Sequence, residues 1–135
     1  MLLALLVCQT ATSQQKPSDH VSADFQAVES LVQQGRLEEA KARMLDDLQQ
    51  NPPSVDGYNL LGIIESKEQD YPGALTAFQN ALKLNPNSPR THNNLGNVYL
   101  VQKKFDLAER EFRAALRLSP NDPDGNYNLG MLQLA

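Results

Sequence analysis

The feature that most constrains this chain is a match with itself. Shifted by 34 residues, the stretch 57–123 places Asn59 on Asn93, Leu61 on Leu95, Gly62 on Gly96, Ala74 on Ala108 and Phe78 on Phe112. The register continues with Ala81, Leu82 and Leu84 on Ala115, Leu116 and Leu118, then Pro86, Asn87 and Pro89 on Pro120, Asn121 and Pro123. A fixed period in this range marks stacked units, each able to bury its apolar face only against a neighbour.

The matching positions share a physical logic. Gly62 and Gly96, each followed twelve residues later by Ala74 or Ala108, put small residues where two antiparallel helices approach closely. Phe78 and Phe112 fill the wider gap, and Ala81 and Ala115 keep the second helix thin where the next unit meets it. Pro86 and Pro120 stop that helix, because proline cannot continue it. Ser88 before Pro89, and Asp122 before Pro123, read as helix N-caps with proline at the first helical position.

On these residues the chain resembles the tetratricopeptide repeat family, whose helix-turn-helix unit has this length. Counting from Pro89, the signature sites hold Leu95, Gly96, Tyr99, Ala108, Phe112, Ala115 and Pro120. The unit from Val55 matches with Tyr58, Leu61, Gly62, Ala74, Phe78, Ala81 and Pro86, and departs at Glu65, where an aromatic is usual. The unit from Val21 is degenerate: Ala40, Met44 and Pro52 fit, whereas Val28 replaces the small residue and Asp47 an alanine. The resemblance implies an all-α fold, a right-handed superhelical solenoid of antiparallel helix pairs, with about three repeats and the first helix of a fourth. The expected division is a leader at 1–13, a polar linker at 14–20, repeats at 21–54, 55–88 and 89–122, and a truncated fourth repeat at 123–135.

Within the units, helices are expected at 37–50, 55–68, 71–84, 89–102 and 105–118. Phe25, Val28, Leu31 and Val32 share one apolar face ahead of Gly35. Ser54 is the predicted cap of the next helix, and Glu39 and Glu109 stand one turn before Arg43 and Arg113, at ion-pair spacing. The fourth unit starts with Asn126, Tyr127, Asn128, Leu129 and Gly130 and has no second helix to cover Leu129 and Leu132, so self-association through that end is a third, structural reading.

With 135 residues, 41% hydrophobic and 21% charged, the chain has the composition of one elongated soluble-type domain. Its net charge of −4 and its lack of a Lys/Arg run argue against nucleic acid as a partner. The apolar stretch Met1 to Cys8 is too short to span a bilayer. Followed by polar Gln9 to Gln15, it reads as a signal-peptide-like leader. Ala11 and Ser13 occupy the small-residue positions of a cleavage site before Gln14, which predicts export to a periplasmic or secreted location. No Lys or Arg precedes the apolar stretch, and if it is instead the tail of an internal fragment the location is cytoplasmic. Leu5, Leu6, Val7 and Cys8 resemble a lipoprotein box only in part, since Val7 stands where a small residue is usual. Cys8 is the only cysteine, so no intrachain disulfide forms.

Nothing in the sequence supports catalysis. His20 and His92 have no second histidine or cysteine at metal-ligand spacing, and His92 reads as a packing residue. Asp46 and Asp47 are adjacent and diverge on a helix, so they make no acid/base pair. No phosphate loop, serine elbow or cofactor fingerprint is present; the expected cofactor and metal complement is none.

What remains is a binding surface. The resemblance implies that first helices line a concave groove through Ser22, Phe25 and Glu29, Asp56, Asn59 and Ile63, Arg90, Asn93 and Asn97, and Asp124, Tyr127 and Met131. The family's carboxylate clamp for chaperone tails requires several lysines or arginines there, and only Arg90 supplies one. Asn94 and Asn128 stand 34 apart, just before the signature leucines, and the resemblance includes members that hold peptides with asparagines repeated there. An amide donates and accepts at once, so Asn59, Asn93, Asn94, Asn97 and Asn128 suit either the backbone of an extended peptide or hydrogen bonds between repeats. Both readings stand at this point. The expected function is a non-enzymatic scaffold that docks a protein or peptide partner, with Phe25, Ile63, Tyr127 and Met131 as apolar anchors. The alternative is the substrate-recognition arm of a longer enzyme, for example a transferase, whose catalytic domain lies beyond residue 135.

Overall fold

Each unit becomes two helices because its stop and start signals fall at fixed places. The computed structural model describes residues 23–135, so the predicted leader, the linker, Cys8, His20 and Ser22 lie outside the described residues. Seven helices follow in order among the described residues: α1 (Ala23–Gln33), α2 (Leu37–Gln50), α3 (Val55–Lys67), α4 (Tyr71–Leu84), α5 (Pro89–Val101), α6 (Phe105–Leu118) and α7 (Pro123–Leu134). No strand occurs among the described residues. The first helices of the second, third and fourth units are opened by a side-chain cap: Ser54 Oγ accepts from the Gly57 amide at 2.9 Å, Ser88 Oγ from Thr91 at 3.3 Å, and Asp122 Oδ2 from Gly125 at 2.8 Å. Asp70 opens α4 in the same way, accepting from Gly73 at 3.0 Å.

The turn between the two helices of a unit also repeats. Gly35, Gln69 and Lys103, spaced by the same 34 residues, all take positive φ, at 75°, 64° and 58°. The amide after each reaches back five residues: Arg36 to the Leu31 carbonyl at 2.9 Å, Asp70 to Glu65 at 2.9 Å and Lys104 to Tyr99 at 2.8 Å. This closes the helix end as a Schellman turn, which favours glycine because an L side chain is strained there. Only the first of the three turns has one. Lys103→Gly and Gln69→Gly are therefore each expected to stabilise the protein by about 0.5–1 kcal/mol, measured by urea unfolding. A loss in both would mean that these turns are held by their side chains.

The helix pairs pack through the small-over-large steps of the repeat. Phe78 and Phe112 are fully buried, and their rings lie directly on Gly62 and Gly96. A methyl group on Gly62 would stand 2.6 Å from Phe78 Cε1, and one on Gly96 closer still to Phe112 Cε1. The glycines therefore admit the ring itself, in addition to the close helix approach. In the degenerate first unit the same two positions hold Val28 and Met44, both buried in one cluster with Leu31, Ala40, Leu60, Leu61, Ile64 and Ala77. A larger residue on one helix is matched there by a slimmer, adaptable one on the other. Gly130, the third residue of the glycine series, faces open space.

The order of contacts gives the curvature. First helices touch one another in series, α1 with α3, α3 with α5 and α5 with α7, and each second helix leans on the next first helix. Second helices do not touch each other among the described residues. Layers closer on one side than the other bend toward the close side, so α1, α3, α5 and α7 line the concave face.

At the signature position where an aromatic is usual, Glu65 is buried and lies 3.6 Å from Lys41 of α2. Lys41 also meets Glu68 at 2.9 Å and Asp70 at 3.6 Å, tying the first unit to the second. Burial raises the Glu65 carboxyl above its ordinary value despite the attraction of Lys41, and Oε2 has no hydrogen-bond partner.

Candidate binding groove

Two hollows open on the concave face, and α5 forms the wall they share. The first, about 240 Å³, is apolar: Ile63, Tyr71, Phe78, Val98 and Val101 line it, with Lys67 at its edge. The second, about 720 Å³, lies between α5 and α7 and is lined by Arg90, Asn93, Asp122, Asp124, Tyr127 and Asn128 among others. Asn94 and Asn97 line both, so the two hollows adjoin along α5.

The asparagines divide between the two roles open to them. Asn59 is fully buried, donates to Thr91 Oγ1 at 2.9 Å and accepts from Asn94 Nδ2 at 3.3 Å. Thr91 Oγ1 in turn donates to Ser88 Oγ at 2.8 Å. That chain bolts the second repeat to the third and takes Asn59, which the sequence places in the groove, out of reach of a ligand. Asn93 holds the next junction: its Nδ2 donates to Asp122 Oδ2 at 2.7 Å, the atom that also caps α7. Asn97 is exposed, Asn128 half-buried, and Asn94 half-buried with one bond to Asn59.

The other named residues separate similarly. Ile63 lines the apolar hollow and Tyr127 the polar one. Phe25 packs against the core of the first two units, away from both hollows, and Met131 is exposed on α7 without lining either. Arg90 lines the polar hollow while its Nη1 lies 3.6 Å from Asp56, an exposed pair of small energetic weight. The sequence reading missed Tyr71, Val98, Val101 and Lys67. Tyr71 comes from a second helix, Val98 directly follows Asn97 at a position the pattern gives to packing, and Lys67 and Val101 lie one turn beyond Ile63 and Asn97.

His92 Nδ1 lies 2.7 Å from Glu111 Oε2 and Nε2 lies 3.0 Å from the Pro86 carbonyl, so both ring nitrogens are committed to joining α5 with α6 and the preceding loop. Among the described residues no three His, Cys, Asp or Glu side chains gather to hold a metal, and no helix is long and apolar enough to cross a membrane.

Comparison with known proteins agrees with this architecture. The family model described as Tetratricopeptide repeat matches residues 25–89 and 59–123. A search of curated proteins gives no match. Among solved structures, the chain is similar to the first TPR domain of the human RPAP3 protein, with a TM-score of 0.77 and 15% identity over 82% of this chain and 87% of that one. It is similar to the Arabidopsis OM64 TPR domain, with a TM-score of 0.76 and 13% identity over 82% and 92%. A third similar structure is the second TPR domain of human RPAP3 in complex with the HSP70 peptide SGPTIEEVD, with a TM-score of 0.73 and 15% identity over 82% and 92%. At such identities the likeness is one of fold.

Proposed function

The chain belongs to the tetratricopeptide repeat family, and from that premise we propose that it is a non-enzymatic scaffold that holds an extended peptide segment of a partner protein in its concave groove. The observation that carries this reading is the meeting of an apolar and a polar hollow along α5, at Asn94 and Asn97. Recognition of an extended segment uses pockets for side chains and polar groups for the main chain, and this groove offers both side by side. Asn97 is exposed, and none of its side-chain atoms is used inside the fold among the described residues, so its amide is free to pair with a ligand backbone. The similar second TPR domain of human RPAP3 in complex with the HSP70 peptide supports peptide capture as a use of this fold.

The test is a plug. A library of random twelve-residue peptides displayed on phage is selected against the immobilised full chain, and enriched peptides are titrated against the parent and Asn97→Phe. The new ring would occupy the seam between the hollows without changing charge or a buried contact. Groove binding predicts a loss of at least about tenfold in affinity, or about 1.4 kcal/mol. Equal affinity for parent and variant across all enriched peptides would move the binding elsewhere on the surface.

A further inference from the structure

Resting on the groove reading above, we propose that the polar hollow between α5 and α7 receives a Lys or Arg side chain of the bound segment, while a bulky apolar side chain a few residues away fills the hollow under Ile63 and Val98. The first support is an atom without a partner. Asn93 is 7% exposed, and its Oδ1 makes no hydrogen bond although it is buried at the wall of the polar hollow. The amide cannot be turned round to cure this. Its Nδ2 donates to Asp122 Oδ2, and the alternative orientation would set two acceptors face to face. The orphan acceptor therefore calls for a donor from outside the fold.

The repeat shows that the vacancy is particular to this junction. One period earlier, the equivalent oxygen, Asn59 Oδ1, accepts from Asn94 Nδ2. Asn128 is the residue equivalent to Asn94, yet it makes no such bond to Asn93. The second and third repeats thus close their polar seam internally, and the third and fourth leave it open.

Charge then selects the donor. Asp122 and Asp124 line the same hollow, and Asp124 pairs with no cation among the described residues. Arg90, the one cation in the lining, is shared with Asp56 in a weak exposed pair and offsets only one of the two carboxylates, so the lining stays net negative. Two carboxylates and a buried unpaired carbonyl favour an ammonium or guanidinium over a neutral amide. At the other end, the wall of Ile63, Tyr71, Phe78, Val98 and Val101 encloses about 240 Å³. That is ample for a Leu, Met or Phe side chain, since a cavity of about 150 Å³ already holds benzene. Lys67 at that edge repels a second cation there and fixes which end of the pair is basic. Asn94 and Asn97 stand only about 4.5 Å apart along the helix axis and touch both hollows, so one extended segment reaches both with its two side chains within about four residues of each other.

The experiment uses the phage-selected twelve-residue peptides against the full chain. Enriched sequences are expected to carry Leu, Met or Phe within four residues of Lys or Arg. Exchanging that basic residue for Glu is expected to weaken binding at least tenfold at low salt, and less at high salt. Asp124→Lys, which alters an exposed side chain, is expected to reverse the order, so that the Glu peptide binds the variant better than the Lys peptide. Circular dichroism and the melting temperature verify that the variant folds. Peptides that depend on Asn97 yet lack Lys and Arg, or that ignore Asp124→Lys, would overturn the cation site and leave the groove standing. That is also the result expected if Asn128 closes the seam in solution. Absence of any peptide whose binding depends on Asn97 would overturn both.

Discussion

Replacing Gly96 with alanine is expected to destabilise the protein by up to about 2 kcal/mol, although the same change in an exposed helix is normally favourable. Alanine gains about 1 kcal/mol of helix propensity over glycine. Against that stands the Phe112 ring, which already occupies the space of the new methyl group. The ring has little room to withdraw, because Ala108 and Ala115 beside it on α6 are themselves fully buried. Overpacking of this kind costs about 1–3 kcal/mol and sometimes more. The repeat supplies two controls. Gly130 is the equivalent residue with nothing within 4 Å, so Gly130→Ala is expected to be neutral or stabilising by up to about 1 kcal/mol. The first unit supplies the compensation, because it holds Val28 and Met44 at these two positions. Gly96→Ala combined with Phe112→Met is therefore expected to recover part of the loss, with a favourable coupling in the double-mutant cycle. Urea unfolding of the parent, the three single variants and the double variant decides it. Equal losses at Gly96 and Gly130 would show that the ring contact is not the cause.

The period made these positions legible in the sequence, because each testifies twice, but the reading set Gly62 and Gly96 against Ala74 and Ala108 and left the rings to a wider gap, whereas they lie on the glycines themselves. Gly62 with Phe78 and Gly96 with Phe112 sit at the same spacing, and the caps at Ser54, Ser88 and Asp122 precede α3, α5 and α7. What broke the period was harder to read. Gln69 and Lys103 occupy the left-handed position that Gly35 marks plainly, and their residue types give no sign of it. Val28 looks like a lapse until Met44 is placed beside it, since compensation between two helices is a three-dimensional relation.

The groove was half legible for the same reason. The family resemblance put Asn59, Asn93, Asn94 and Asn97 at or beside the groove, but an amide's role depends on which atoms neighbour it. Asn59 and Asn93 are equivalent by sequence, and one is fully satisfied while the other keeps a free oxygen. The difference comes from Thr91 and Asn94 at one junction and Asp122 at the next. Tyr71 and Lys67, which complete the apolar hollow, belong to parts of the unit where the pattern assigns packing or solvent rather than recognition.

Glu65 shows how a departure from the pattern becomes a structural device, and it carries the second large effect. Lys41→Met is expected to destabilise the protein by about 2 kcal/mol at neutral pH, with a dependence on pH that identifies the cause. Lys41 is the cation that faces three carboxylates, Glu65, Glu68 and Asp70. Without it Glu65 remains buried, unpaired and repelled by the other two. Breaking a buried pair costs about 3–5 kcal/mol, and the partial exposure of Lys41 reduces the figure here. The Glu65 carboxyl already sits above its ordinary 4.5, chiefly through burial, and loss of Lys41 moves it further up. A carboxyl raised in the folded state binds its proton more readily there than in the unfolded chain, so its penalty is present above the folded value and fades as pH falls through it. The gap between Lys41→Met and the parent should therefore narrow on acidification. Lys41 itself is raised above 10.5, chiefly by its hydrogen bond to Glu68, so its own contribution is intact at neutral pH and disappears only as pH rises through the folded value. Adding Glu65→Gln to Lys41→Met removes the buried charge and should restore most of the neutral-pH loss. A deficit that stays constant from pH 7 to about pH 4 would instead assign the cost to the lost packing of the lysine stem against α3.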